Sequence, residues 1–337
     1  MESKTIKIKT RQLVWLFLVI ACAPLPARAQ QVYTGSASLV AGTVDRMYTK
    51  GMQFLVRTQL PRGNWPDEPR DGAPAVTALA VISLLAHGDD PNYGPYSATI
   101  HRGLDFILKS MDAESGYIGP SMYNHGFATL ALAESYGAVE DPRLGPALQK
   151  AVRVIVNAQK ANNSHAWRYS PQSQDADTTV SGAQMVALLA ARNAGMAVPE
   201  ETIQNGIKFF QSCQTPDGGI GYISPTAPNA TRTAIACVVL ALAKEKNLPA
   251  FKNAFTYLQG TPPDGSFPQY YLYYAAQAYF HGSPELWQKW NQSNIVTLRA
   301  SQTPDGNWEG QFGATFATSG SLLSLALNYR YLPIYER

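Results

Sequence analysis

Two carboxylates one residue apart, Asp175 and Asp177, close the stretch that leads into Thr178-Thr179 and a run that is apolar on nearly every side. A carboxyl group in an apolar setting keeps its proton to higher pH than in water, and an acid held protonated against an electron-rich bond can donate that proton. Asp177 is the candidate general acid, with Asp175 beside it. The same residue has a plainer use, because a short acid before a helix accepts the free N–H groups of the first turn. Other side chains that could hold a ligand stand at matching places along the chain: Asp71, then Tyr123, Asn124 and His125, then Arg232, then Tyr271 and Tyr273 within the run Tyr270 to Tyr274. Tyrosine faces can stabilise a cation, and they can equally be wall packing. Cleavage of a glycosidic bond needs two carboxylates, and Asp71 with Asp177 is the pair nominated for it.

Metal chemistry finds no support. The five histidines (87, 101, 125, 165 and 281) show no ligand spacing, and neither metal nor cofactor is expected. Cys213 ends one predicted helix and Cys237 lies well inside the next, an offset that suits two buried thiols better than a disulfide.

These residues are placed by an internal repeat. Gln214-Thr215-Pro216-Asp217-Gly218-Gly219 returns 88 residues later as Gln302-Thr303-Pro304-Asp305-Gly306-Asn307, and Pro263-Asp264-Gly265 lies between them. Shorter copies stand upstream at Gln59 to Trp65, Glu114 to Tyr117 and Asn162 to Trp167, the last without its glycine. An aromatic residue or Ile follows each turn, at 65, 117, 167, 220, 267 and 308, giving six repeats. Before each turn comes an amphipathic helix such as Gly103 to Lys109, with one wet face. After it comes a helix apolar all round, such as Ala234 to Ala243, which must be enclosed on every side. The first and last repeats keep the apolar pattern, where an open superhelix would need polar caps. The expected fold is therefore all-α, an (α/α)6 toroid of six helix pairs over residues 30–337. The residues that open the apolar helices should meet at the mouth of the ring.

The glycine–aromatic turns between alternating helices resemble the prenyltransferase and squalene oxidase repeat over residues 36–330. That family includes triterpene cyclases, the β subunits of protein prenyltransferases and complement-type thioester domains. The resemblance implies three chemistries. Cyclases protonate an alkene through Asp-x-Asp-Asp; here the matching place reads Asp175-Ala176-Asp177-Thr178, with Thr for the last acid. Protein prenyltransferases bind zinc through Asp, Cys and His, but two residues before Cys237 stands Ile235. The thioester run Gly-Cys-Gly-Glu-Gln is absent. One fold hosts unrelated functions, so the main expectation is a module that binds a hydrophobic small molecule or a protein partner. A terpenoid-cyclase-like enzyme and a glycan-active enzyme are the alternatives.

Residues 1–29 read as an export signal. Lys4, Lys7, Lys9 and Arg11 precede an apolar run from Leu13 to Cys22, and Ala27-Arg28-Ala29 supplies a cleavage site. Val19-Ile20-Ala21-Cys22 also fits a lipid-attachment box at Cys22. A periplasmic or extracellular place is expected, with no membrane insertion after removal of the signal. Beyond residue 29 the chain holds 22 basic and 23 acidic residues. Its formal charge of +3 thus belongs to the signal, and nucleic acid is not an expected partner.

Overall fold

The computed structural model describes residues 37–66, 73–263, 265 and 267–335. The expected signal segment with Cys22, and Asp71 in the stretch 67–72, lie outside the described residues. Contacts divide the chain into a short unit, Met1–Val40, and a compact unit, Ala41–Arg337, and it is the second that carries the repeats.

The described residues form twelve α-helices. Six are the amphipathic ones: α1 (Ala37–Thr58), α3 (Ser97–Lys109), α5 (Leu144–Ala161), α7 (Glu200–Ser212), α9 (Pro249–Gly260) and α11 (Pro284–Ser301). They alternate with α2 (Pro74–Leu85), α4 (Met122–Ser135), α6 (Thr178–Asn193), α8 (Ala230–Leu242), α10 (Pro268–Gly282) and α12 (Gly313–Ala326). The even helices contact one another in order, α2 to α4 and onward to α12, and α12 returns to α2. The odd helices lie outside them, so the expected all-α toroid is what the chain forms. No described helix is long and apolar enough to cross a membrane.

The repeated turn has a physical job at each position. Its glycine sits at positive φ, +91° at Gly63, +97° at Gly218 and +92° at Gly306. A Cβ there would meet the backbone of the next outer helix, at Arg102 O, Asn253 O and Lys50 O, within 2.1, 2.4 and 2.5 Å. The third copy lacks the glycine, and His165 takes the left-handed conformation instead, at φ 48°. The repeat glutamine ties the same two elements. Gln59 Nε2 donates to Gly63 O and Thr99 O, Gln214 to Gly218 O and Ala250 O, and Gln302 to Gly306 O and Met47 O. The last of each set reaches α1, so the sixth repeat docks on the first by the device that joins the others.

The turn aromatics anchor the layers radially. Trp65, Trp167 and Trp308 are buried, and each indole donates to a carbonyl of the preceding outer helix: Leu55 O, Ile155 O and Leu298 O, at 2.7 to 2.9 Å. A buried indole needs such a partner. Cys213 and Cys237 are both free and buried, as expected.

The far end of the ring, where the inner helices finish, is filled by the 3-10 turn Pro333–Tyr335. Ile334 N donates to Glu134 Oε2 at 3.5 Å, and Tyr335 lies buried near Tyr48, Tyr273 and Glu134.

Candidate functional site

At the other end, the first turns of the inner helices surround a cavity of about 640 Å³, within the range of small-molecule sites. The burial pattern shows how the helices build it. α4 buries every residue except Tyr123, and α2 every residue except Ala75. The equivalent first-turn residues are Thr179 on α6, Arg232 on α8, Tyr270 on α10 and Phe316 on α12, and all six line the cavity. One residue per repeat thus faces the mouth. Phe127 and Leu79 lie a turn deeper, while Tyr169, Tyr222, Phe267 and Phe312 come from the connecting segments. Eight of the lining side chains are aromatic.

Asp177 is not among them. It is fully buried and caps α6, with Oδ1 accepting from Thr179 N at 2.9 Å, Val180 N at 2.8 Å and the Thr179 hydroxyl at 2.6 Å. Ser121 and Asn229 cap α4 and α8 at the same place. Oδ2 lacks a hydrogen-bond partner and lies 3.6 Å from Arg168 Nε. Burial raises the Asp177 pKa, while bonds from Thr179 and Val180 and the Arg168 charge pull it back. Asp175 is exposed and pairs with Arg168 Nη1 at 3.1 Å, outside the cavity wall. Asp71, and with it the Asp71–Asp177 pairing, lies outside the described residues.

His125 departs from the expectation of a ligand-binding residue. Its Nδ1 accepts from Ile118 N at 3.1 Å and its Nε2 bonds to Ala151 O at 3.0 Å, so both ring nitrogens are used. Burial drives its pKa down to about 4, and the ring is neutral with its proton on Nε2. Ser181, Thr233 and Thr318 accept the turn N–H of Trp167, Ile220 and Trp308 in the same way. His125 is the second repeat's version of that brace.

Tyr123, Asn124 and Arg232 do line the cavity. Asn124 Oδ1 accepts from Ala75 N at 3.0 Å and joins α4 to α2. Arg232 donates to Ala227 O at 2.5 Å and stands over the Tyr222 ring, whose centroid is 5.9 Å away. Arg168 stacks on Tyr222 and Tyr169, and the two tyrosine hydroxyls bond at 2.8 Å. Tyr271 and Tyr273 are buried outside the wall, and Tyr270 takes the place assigned to them. Helical geometry explains it: Tyr273 lies one turn below Tyr270 against Phe127, and Tyr271 points away from both.

Among the described residues the wall offers aromatic faces, hydroxyls, amides and the Arg232 guanidinium, and no carboxylate. Such a surface can hold an apolar body and fix it by a few hydrogen bonds. No cluster of metal ligands occurs among the described residues.

The sequence matches the model of a domain of unknown function, DUF6288, over residues 45–303. The chain belongs to the DUF6288 family. No protein of curated function matches it. Solved structures of similar fold include the GH76A α-1,6-mannanase of Salegentibacter sp. HEL1_6, crystallised as an inactive variant with α-1,6-mannotriose. It is 11% identical at a TM-score of 0.65, over 85% of this chain and 99% of that one. Another is the type II terpene cyclase MstE from Scytonema, an arginine-to-alanine variant bound to geranylgeranyl dihydroxybenzoate. It is 15% identical at a TM-score of 0.63, over 88% of this chain and 100% of that one. At these identities the likeness is one of fold, the α/α toroid.

Proposed function

We propose that this DUF6288 chain is a small-molecule binding module that takes an apolar ligand into the mouth of its ring. One observation carries the reading: a cavity of about 640 Å³ walled by eight aromatic side chains, with no described carboxylate on its surface. Large aromatic faces gain most by shedding water against an apolar partner. Ala75 gives the test. It is the smallest of the six first-turn residues and faces the cavity rather than the core. Ala75→Trp should fill the space and cut retention of apolar ligands about tenfold or more, read by native mass spectrometry after incubation with a lipid extract. Retention unchanged in a folded Ala75→Trp protein would place binding elsewhere and end the reading.

A second reading, proton donation by Asp177 as in a terpenoid cyclase, draws on one feature: the buried Asp177 carboxyl with no hydrogen bond to Oδ2. It predicts cyclised product from an isoprenoid substrate that is lost in Asp177→Asn. Asp177 stands behind Thr179 rather than in the wall, so the binding reading is preferred.

A further inference from the structure

The hydrogen-bond chain behind Tyr123 has a fixed direction, and that direction says something about the ligand. Asp177 Oδ1 accepts from two backbone N–H groups, those of Thr179 and Val180. Backbone donors cannot reverse, so Oδ1 remains an acceptor whatever the charge on the carboxyl, and any proton sits on Oδ2 beside Arg168. The Thr179 hydroxyl, 2.6 Å from Oδ1, must then donate inward. A hydroxyl has one proton, so towards Tyr123 the Thr179 oxygen can only accept. Tyr123 accordingly spends its proton on Thr179 Oγ1, at 2.5 Å. What Tyr123 turns to the cavity is a lone pair.

Two further residues of the wall carry hydroxyls, and both oxygens are sealed behind its surface. Thr231 is 5% exposed, and its Oγ1 has no hydrogen-bond partner. The Tyr270 hydroxyl is buried and has the Tyr274 hydroxyl as its hydrogen-bonding neighbour. An apolar ligand without polar groups would leave that Tyr123 lone pair dry, which costs affinity. A neutral ligand presenting only acceptors, such as an ether or a ketone, would set lone pair against lone pair at Tyr123. A ligand hydroxyl satisfies it.

We propose that the cavity selects apolar molecules carrying a hydroxyl group, which donates to Tyr123. This rests on the small-molecule reading above and gives it a ligand class: apolar alcohols and phenols.

The test is calorimetric binding of farnesol and 2-naphthol, each against its own methyl ether, to the purified protein. The alcohols should bind about tenfold more tightly than the ethers, the worth of one buried hydrogen bond. In Tyr123→Phe that preference should vanish because alcohol affinity falls. In Thr179→Val the Tyr123 proton is released towards the cavity, and the preference should shrink because ether affinity rises. A general loosening of the wall would not produce that opposite pair of changes. Equal binding of alcohol and ether by the unaltered protein overturns hydroxyl selection and leaves the cavity reading standing. An alcohol preference that survives Tyr123→Phe also overturns it. Binding of none of the four compounds ends both readings.

Discussion

At the scale of single residues, the decisive contrast is between Asp177 as an acid and Asp177 as a cap. Its Oδ1 makes three hydrogen bonds and its Oδ2 an ion pair at 3.6 Å. Asp177→Ala removes all of them and should destabilise the protein by about 2 kcal/mol, the upper range for an N-cap. Asp177→Asn keeps Oδ1 and loses the pairing with Arg168, so roughly half that cost is expected. Urea unfolding of the two variants would decide it. An Asp177→Ala protein as stable as its parent would mean that the cap does not hold α6 in place. The neighbouring Asp175 was legible from the sequence only as a second acid. Its side chain is 70% exposed beside Arg168, and it steers that guanidinium rather than facing a ligand.

At the scale of elements, the turn glycines combine two demands that can be separated. Gly306 has φ +92° and no room for a Cβ against Lys50 O, whereas Gly195 has φ +87° and nothing within 4 Å. Gly195→Ala should cost about 1–2 kcal/mol, the penalty of a left-handed conformation alone. Gly306→Ala should cost roughly twice as much, because the backbone of α1 must also move. Thermal melts of the two variants compare them directly, and equal losses would show that the turn does not press on the next helix. This close approach is why the fold could be read from the sequence. A glycine, a glutamine and an aromatic residue at fixed offsets are each required by contacts that every repeat makes. The mouth of the ring was legible for the same reason, as the set of positions that open the inner helices. The phase of α10 was not. A helix buried on all sides has no polar stripe to fix which tyrosine faces inward, so Tyr270 could not be told from Tyr271 or Tyr273. The role of His125 became visible only beside Ser181, Thr233 and Thr318. Tyr169 and Tyr222 reach the cavity from connecting segments, where no periodicity signals direction.

At the scale of the whole molecule, two buried ionisable groups set opposing pH dependences. Glu134 has its pKa pushed up to about 8 by burial at the filled end of the ring, and that of His125 falls to about 4. For Glu134 the folded state binds more protons than the unfolded state between its ordinary 4.5 and about 8. Stability therefore falls as pH rises through that window. For His125 the unfolded state binds more protons between about 4 and its ordinary 6.5, so stability is lost as pH falls through that range. The two slopes cancel where the windows overlap, and Glu134 alone acts just above. Glu134→Gln should raise stability at pH 8 by a few kcal/mol and leave a curve that climbs between pH 4.5 and 6.5. Urea midpoints measured across pH 4 to 9 would show it, and an unchanged profile would mean that Glu134 is hydrated in the folded protein. Glu134 also marks where the last described turn returns to the first helix. Ile334 bonds to it, and Tyr335 and Tyr329 lie against Tyr48 of the first helix. Because Gly306 and Gln302 hold α1 as Gly218 and Gln214 hold α9, each repeat has a neighbour on both sides and none is terminal. The order in which the repeats are encoded is then a matter of bookkeeping. A permuted chain, opened at the Pro263 turn and with α12 connected directly to α1, would specify the same set of contacts.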